Sequence, residues 1–321
     1  MESNAQGAPR LVFQFPGQGS QHVGMGKALA ERFASARRTF EEADDTLGFR
    51  LSALCFEGPA ETLTDTANAQ PAILTTSIAA LRALEEAAGR AIKPDYYVGH
   101  SLGEYSALVA SGALSFADGL HLVRLRGQLM AEAGKTNPGG MLAVIGLDAD
   151  VLDAICRQVS ESGQVIQIAN DNAPGQIVLS GDVHALGRAE ELAKQAGARR
   201  VIRLAVSIAA HSRLMAHAAE GLRRAVHAVA LRRPAAPIVG NVDARPLQDP
   251  DEVRRELVEQ LTAPVRWTQS IRELARRGAS HFVEIGPGSV LTGLVSRIAG
   301  AACAVAIGDP DAVIAFAQSG R

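Results

Sequence analysis

Short apolar runs alternate with longer stretches of helical period along most of this chain. Leu11-Val12-Phe13-Gln14-Phe15 reads as a first strand closed by Pro16-Gly17. Helical periodicity then predicts elements at Lys27–Phe33, Ala36–Thr46 and Gln70–Ala88, the last with Pro71 in its first turn, plus a short one at Glu61–Asp65. Tyr96-Tyr97-Val98 is a second strand, followed by helices from Glu104 and over Phe116–Ala133, the latter with Ser115 as N-cap. The rhythm changes at Asn137-Pro138-Gly139-Gly140. From there strands at Met141–Ile145, Val165–Ala169, Gln176–Ser180 and Arg200–Leu204 enclose helices at Ala149–Glu161 and Val183–Ala196. This β-α-β-β-α-β order is ferredoxin-like.

After Val206 the first rhythm resumes. Ser212 caps a predicted helix over Arg213–Ala228, Ile238-Val239-Gly240 is a short strand, and Asn241–Pro250 is a loop region. Helices at Glu252–Leu261 and Trp267–Arg277, a strand at His281–Ile285 and a helix at Leu291–Ile298 follow. The pattern predicts an α/β fold with a hydrolase-like parallel sheet, and a small ferredoxin-like subdomain inserted into it. The expected division is a catalytic body of residues 10–136 and 206–310 around a subdomain of residues 137–205.

Composition narrows the class. A hydrophobic fraction of 47% supplies ample core, and a net charge of −2 supplies no overall basic field for nucleic acid. Cys55, Cys156 and Cys303 are far apart and form no C-x-x-C, so buried free thiols in a reducing compartment are expected rather than zinc or disulfides. Met1 to Pro9 lacks an apolar core of a signal peptide, and no apolar run approaches ~18 residues, so a cytoplasmic protein without a membrane span is expected. With no large apolar patch signal, a monomer is the default.

The chemistry concentrates at Gly99-His100-Ser101-Leu102-Gly103, a G-x-S-x-G between a strand and a helix. In that setting the serine is thrust outward on a strained turn, with the Leu102 amide at a helix N-terminus beside it. A plain two-glycine turn is the bland alternative. The hydroxyl needs a base. His100 is adjacent in sequence, and neighbours around a turn point apart, so it lines a pocket at most. His22 is possible. His211 lies in a loop after an apolar strand and before a capped helix, where α/β enzymes gather functional side chains, and is the best candidate. No acid stands out between serine and histidine, so a dyad with a neutral acceptor is expected.

Two further features stay open at this level. The Pro16-Gly17-Gln18-Gly19-Ser20-Gln21 loop fails as G-x-G-x-x-G, because His22 replaces the third glycine, and Gly26-Lys27 fails as a Walker loop. Its glycines fit close approach to another site. Arg126, among Leu125, Leu129 and Met130, is either a solvated cation or the partner of an anion, for which a bidentate fork suits a carboxylate.

Together the pieces resemble the malonyl-CoA:acyl carrier protein transacylases and the related polyketide acyltransferases, from about Leu11 to Ile298. The motifs are Phe15-Pro16-Gly17-Gln18-Gly19-Ser20-Gln21, Gly99-His100-Ser101-Leu102-Gly103-Glu104, Arg126-Gly127-x-x-Met130, Gln260 through Trp267, and Gly286-Pro287-Gly288. The resemblance implies ping-pong transfer of malonyl from CoA to the phosphopantetheine thiol of acyl carrier protein through malonyl-Ser101, with His211 as base and no bound cofactor or metal. It implies an oxyanion site at the amides of Leu102 and Gln18, and Arg126 on the malonyl carboxylate. Gln260 would orient His211 through its backbone carbonyl, with His100 and Asn172 near the acyl site. Ala210, where the family often has Phe or Ser before the histidine, leaves room at the acyl α-carbon and keeps a larger substituent open, while Leu102 after the serine fits the malonyl-type motif, so malonyl is favoured. A stand-alone acyltransferase serving a polyketide synthase and a serine esterase are the competing readings.

Overall fold

The computed structural model describes residues 10–161 and 163–320; Met1 to Pro9, read above as lacking a signal peptide, lies outside them. The main sheet uses β1 (Arg10–Phe15), β2 (Tyr96–Gly99), β7 (Ile238–Val239), β8 (Pro246–Leu247), β9 (Ala279–Ile285) and β10 (Cys303–Ile307). Their order is β10-β9-β1-β2-β7-β8. All neighbours are parallel except β7 and β8. Both faces are covered, so the strands are apolar on both sides of the pleat. Phe13, Phe15, Tyr97, Val283 and Ile285 enter one core, and Val12, Tyr96, Val98 and Phe282 enter the other.

The second sheet is antiparallel and uses β3 (Gly139–Ile145), β4 (Ile166–Ala173), β5 (Gln176–Asp182) and β6 (Arg200–Arg203) in the order β4-β5-β3-β6. With helices Ala149–Ser160 and Val183–Gln195 it encloses its own core of Leu142, Val144, Leu152, Ile177, Leu179 and Leu186. Mixed α/β architecture with a small antiparallel unit is thus what the alternating pattern predicted. The edge strand β4 runs on past Ala169 with two register shifts and bonds the main body. Val265 N–H donates to Ala169 O at 2.8 Å, and Asp171 N–H donates to Val265 O at 3.0 Å.

Several elements differ from the sequence expectation. The long helix starts at Thr66, with Asp65 accepting from Ala67 N–H as its cap, so Pro71 falls inside it. Proline lacks the donor that the Ala67 carbonyl would have used. Arg124 Nη1 fills that vacancy at 2.7 Å. Ser212 caps a single 3₁₀ turn, Arg213–Met215, before the helix Ala216–Ala228. Leu51–Glu57 is a helix, the Asn241–Pro250 region contains β8, and β10 and the helix Pro310–Gln318 extend the fold beyond Ile298. Cys55 and Cys156 are buried as expected, but Cys303 is exposed because β10 is an edge strand whose alternate side chains face outward. Among the described residues no helix is long and apolar enough to cross a membrane.

Candidate active site

The loops leaving the carboxyl ends of the adjacent strands β1, β2 and β7 carry Gln18, Ser101 and Asn241, as expected of an open parallel sheet. His211 instead follows β6 of the second sheet, Arg126 lies in the helix Phe116–Thr136, and Gln260 ends the helix Pro250–Glu259. Ser101 follows β2 with φ of 51°, in the left-handed region that a side chain adopts only under constraint. The glycines of its motif are required by space. A Cβ on Gly99 would lie 2.0 Å from the Gly103 backbone, and one on Gly103 would lie 2.1 Å from Phe15 O. A Cβ on Gly17 would lie 2.5 Å from His100 O. The β1 loop therefore packs directly against the serine turn, and this close approach is what its glycines permit.

The strained turn is held by Asn241, at the end of β7. Its Oδ1 accepts from Ser101 N–H at 2.7 Å, and its Nδ2 donates to Gly99 O at 2.7 Å. Asn241 is buried, and its loop is anchored by Glu256, whose Oε1 accepts from Val242 N–H at 2.8 Å. Sequence reasoning placed Asn241 in a loop without a role. A polar residue just beyond a parallel strand was the available signal.

His211 is also buried and also has positive φ, 58°. Its Nε2 lies 2.8 Å from Ser101 Oγ, and its Nδ1 lies 2.7 Å from Gln260 O. A carbonyl can only accept, so Nδ1 carries the proton and Nε2 keeps a free lone pair toward the serine hydroxyl. A side-chain donor supports the loop: Gln167 Nε2 donates to His211 O and to Thr262 O, each at 3.0 Å. Burial first, and then the charge of Arg126, hold the imidazole pKa down to about 3. The ring is neutral at physiological pH, as a base must be.

Arg126 is buried beside them. Nη1 donates to Gln70 Oε1 at 2.9 Å, and Nη2 donates to Gln260 Oε1 at 2.9 Å and to Ser101 Oγ at 3.1 Å. Tyr105 lies beneath the guanidinium, with the ring centroid 5.7 Å from Cζ. Gly127 lets the Phe116–Thr136 helix approach this closely; a Cβ there would lie 2.6 Å from Thr66 O. All three acceptors are neutral oxygens, and among the described residues buried Nε has no acceptor. Burial accordingly pulls the arginine pKa down from its ordinary value. A buried guanidinium that meets only neutral dipoles is an under-compensated charge, which an entering carboxylate would complete.

Gln260 joins the groups. Its Nε2 donates to Ser101 O at 3.0 Å and to the buried carboxyl of Glu104. Burial, reinforced by the nearby Glu256, pushes the Glu104 pKa well above the carboxylate range. His100 turns to the other side, with Nε2 2.8 Å from Asn172 Oδ1 and its ring 5.4 Å from that of Trp267. Leu102 is buried at the start of the helix Gly103–Ala110, Gln18 is exposed in the β1 loop, and Ala210 is half-buried before His211. The structure thus brings Ser101, His211, Arg126 and Gln260 into one hydrogen-bonded cluster and sets His100 with Asn172 at its flank. Gln70, Asn241, Glu104, Glu256 and Gln167 are additions that sequence reasoning left without a role. A nucleophile, an oriented neutral base and a buried cation make acyl transfer of a negatively charged group chemically available.

Residues 12–307 match the model of the acyl transferase domain family. The chain is 48% identical over 304 residues to the malonyl CoA-acyl carrier protein transacylase of Bacillus subtilis, covering 95% of each chain. It is 43% identical over 306 residues to the Escherichia coli K12 enzyme of the same name, covering 95% of this chain and 98% of the relative. Among solved structures, an acyl carrier protein S-malonyltransferase from Vibrio cholerae superposes with a TM-score of 0.92 at 40% identity, covering 96% and 99% of the two chains. A complex of a malonyl-transacylase with its type II PKS acyl-carrier protein gives 0.93 at 41% identity, covering 97% and 99%. The half-buried Ser101, with buried His211 and Arg126 beside it, agrees with this near full-length likeness, and the chain belongs to the malonyl-CoA:acyl carrier protein transacylase family of acyl transferases.

Proposed function

We propose that this protein moves a malonyl group from coenzyme A to the phosphopantetheine thiol of an acyl carrier protein through a malonyl-Ser101 intermediate. The observation that carries the reading is Arg126, a buried cation 3.1 Å from the nucleophile oxygen with only neutral acceptors around it. A malonyl group esterified to Ser101 Oγ would bring its free carboxylate to that charge, and an acetyl group would not.

Ser101 Oγ attacks the thioester carbonyl carbon as its proton passes to His211 Nε2. The amides of Leu102 and Gln18 hold the oxyanion; in comparable sites one such donor is worth about 2.7–4 kcal/mol. The C–S bond breaks, and the leaving thiolate takes the proton from His211, which the Gln260 carbonyl has stabilised as imidazolium. The carrier thiol then repeats the steps in reverse order of bond making. Ser101 N–H is already committed to Asn241 and takes no part in the oxyanion site. The catalytic body of residues 10–136 and 206–310 would supply the nucleophile and the base. The subdomain of residues 137–205 would cover the acyl group, with Asn172 and His100 beside it. Ala210 leaves space at the acyl α-carbon.

The same chemistry would serve a polyketide carrier, a reading favoured by the likeness to the type II PKS malonyl-transacylase. The test offers competing malonyl-, methylmalonyl- and acetyl-CoA to purified fatty-acid and polyketide carrier proteins, with mass spectrometry of both protein and carrier. Malonyl on Ser101 and then on the carrier supports the proposal. Malonate released at the same rate with and without carrier would mean a hydrolase.

A further inference from the structure

A chain of hydrogen bonds links Arg126 to the β1 loop through two residues that the transfer reaction does not itself require. Arg126 Nη1 donates to Gln70 Oε1 at 2.9 Å. Gln70 Nε2 donates to Thr66 Oγ1 at 3.1 Å, and to Met130 Sδ at 3.4 Å. Thr66 Oγ1 donates to Gln18 Oε1 at 2.8 Å. Gln70 and Thr66 are buried, whereas Gln18 is exposed.

The direction of every bond is dictated by Arg126. A guanidinium has donors only, so the Gln70 amide must turn its oxygen to it. That turns Nε2 toward Thr66, whose hydroxyl must accept there and spend its single proton on Gln18. The Thr66 position is itself fixed, because it opens the Thr66–Ala88 helix under the Asp65 cap and packs against Gly127. Exposed glutamine in a glycine-rich loop has many rotamers, and one buried, oriented donor selects among them.

We propose that Thr66 is a positioning residue for the oxyanion site. Its hydroxyl, oriented through Gln70 by Arg126, pins the Gln18 side chain and thereby sets where the Gln18 backbone amide stands over Ser101. The proposal rests on the reading of Gln18 as an oxyanion donor. It predicts that the effect falls on bond making and not on acyl selection, because Arg126 keeps Gln260 as a second anchor.

The test compares Thr66→Val, which keeps shape and loses the hydroxyl, with Thr66→Ser, which keeps the hydroxyl. Serine acylation is followed as the p-nitrophenyl acetate burst and as kcat and KM with malonyl-CoA and acetyl-CoA. Thr66→Val is expected to slow acylation by all three donors about tenfold, less than the loss of an oxyanion donor outright, with KM and melting temperature little changed. Thr66→Ser restores the rate. In a Gln18→Met background Thr66→Val has no further effect, because the pinned group is gone. An undiminished burst in Thr66→Val, a Thr66→Ser variant as slow as Thr66→Val, or additive losses in the double variant would overturn the proposal. A wild-type protein with a normal burst but no malonyl transfer would overturn the malonyl reading and leave Thr66 testable by the burst. A wild type with no burst at all would overturn the Ser101 reading and this proposal together.

Discussion

Arg126 and His211 address the same atom: Nη2 of one lies 3.1 Å and Nε2 of the other 2.8 Å from Ser101 Oγ. The cation therefore does two things from one position. Under the proposed function it would meet an acyl carboxylate, and it adds its charge to the burial that keeps the imidazole unprotonated. A carboxylate partner on His211, as in a serine triad, would raise the imidazole pKa. The neutral Gln260 carbonyl orients the ring with less of that effect.

The pH profile follows. An unfolded histidine titrates near 6.5, whereas His211 in the folded protein is held down to about 3. The acylation rate is expected to show no acidic limb at 6.5 and to stay level down to about pH 5, read by stopped-flow acylation. In Arg126→Gln a limb should appear at higher pH than in the wild type. The linkage has a matching sign: between 6.5 and 3 the unfolded chain binds the proton and the folded one does not, so His211 withdraws stability as pH falls through that window.

Substrate choice should depend on Arg126 alone among the cluster. Arg126→Ala would remove the buried cation proposed to meet the malonyl carboxylate, an expected loss of about 2–5 kcal/mol, or ~30-fold and more in kcat/KM. Acetyl transfer should change far less. Equal losses for the two acyl groups in steady-state kinetics would refute the carboxylate role.

Asn241→Ala should cost both activity and stability. It strips an acceptor from Ser101 N–H and a donor from Gly99 O at a residue with positive φ. Leaving those buried groups unpaired costs about 1–3 kcal/mol. Denaturant unfolding should report that loss, and a serine-directed fluorophosphonate should label the variant more slowly than the wild type.

Glu256 gives the folded protein a separate pH dependence. Burial raises its pKa from 4.5 to about 7, despite the N–H donors of Val242 and Asn241. The folded state therefore holds a proton that the unfolded state releases above 4.5. Stability from this group is full below 4.5 and is lost as pH rises through about 7. Glu256→Gln, which keeps an acceptor for Val242, should flatten the decline between pH 5 and 8 in unfolding experiments. An unchanged slope would show that Glu256 does not titrate in this range.

The sequence by itself determined most of the elements and singled out Ser101 as the candidate nucleophile. Tyr96–Val98 followed by glycine, serine and glycine reads as a strand entering a tight turn, in which Gly99 is required by the turn's own backbone at Gly103 and Gly103 by Phe15 of β1. The β-α-β-β-α-β rhythm was likewise periodic and local. Elements with weak periodic signal, such as β8 with two residues and the exposed edge strand β10, were not legible. Pro71 was misplaced by a turn because the carbonyl it leaves free is satisfied by Arg124, 57 residues away. The site differs in the same way. Ser101 was legible because its geometry is written in its neighbours. The question of whether Arg126 faces solvent or a substrate was not, because the answer depends on Gln70 and Gln260, 56 and 134 residues distant. Asn241 was silent because its partner is a strained turn 140 residues earlier. Hydrogen bonds over such separations are fixed by how helices and strands pack, so only the tertiary structure decided which polar groups became a site.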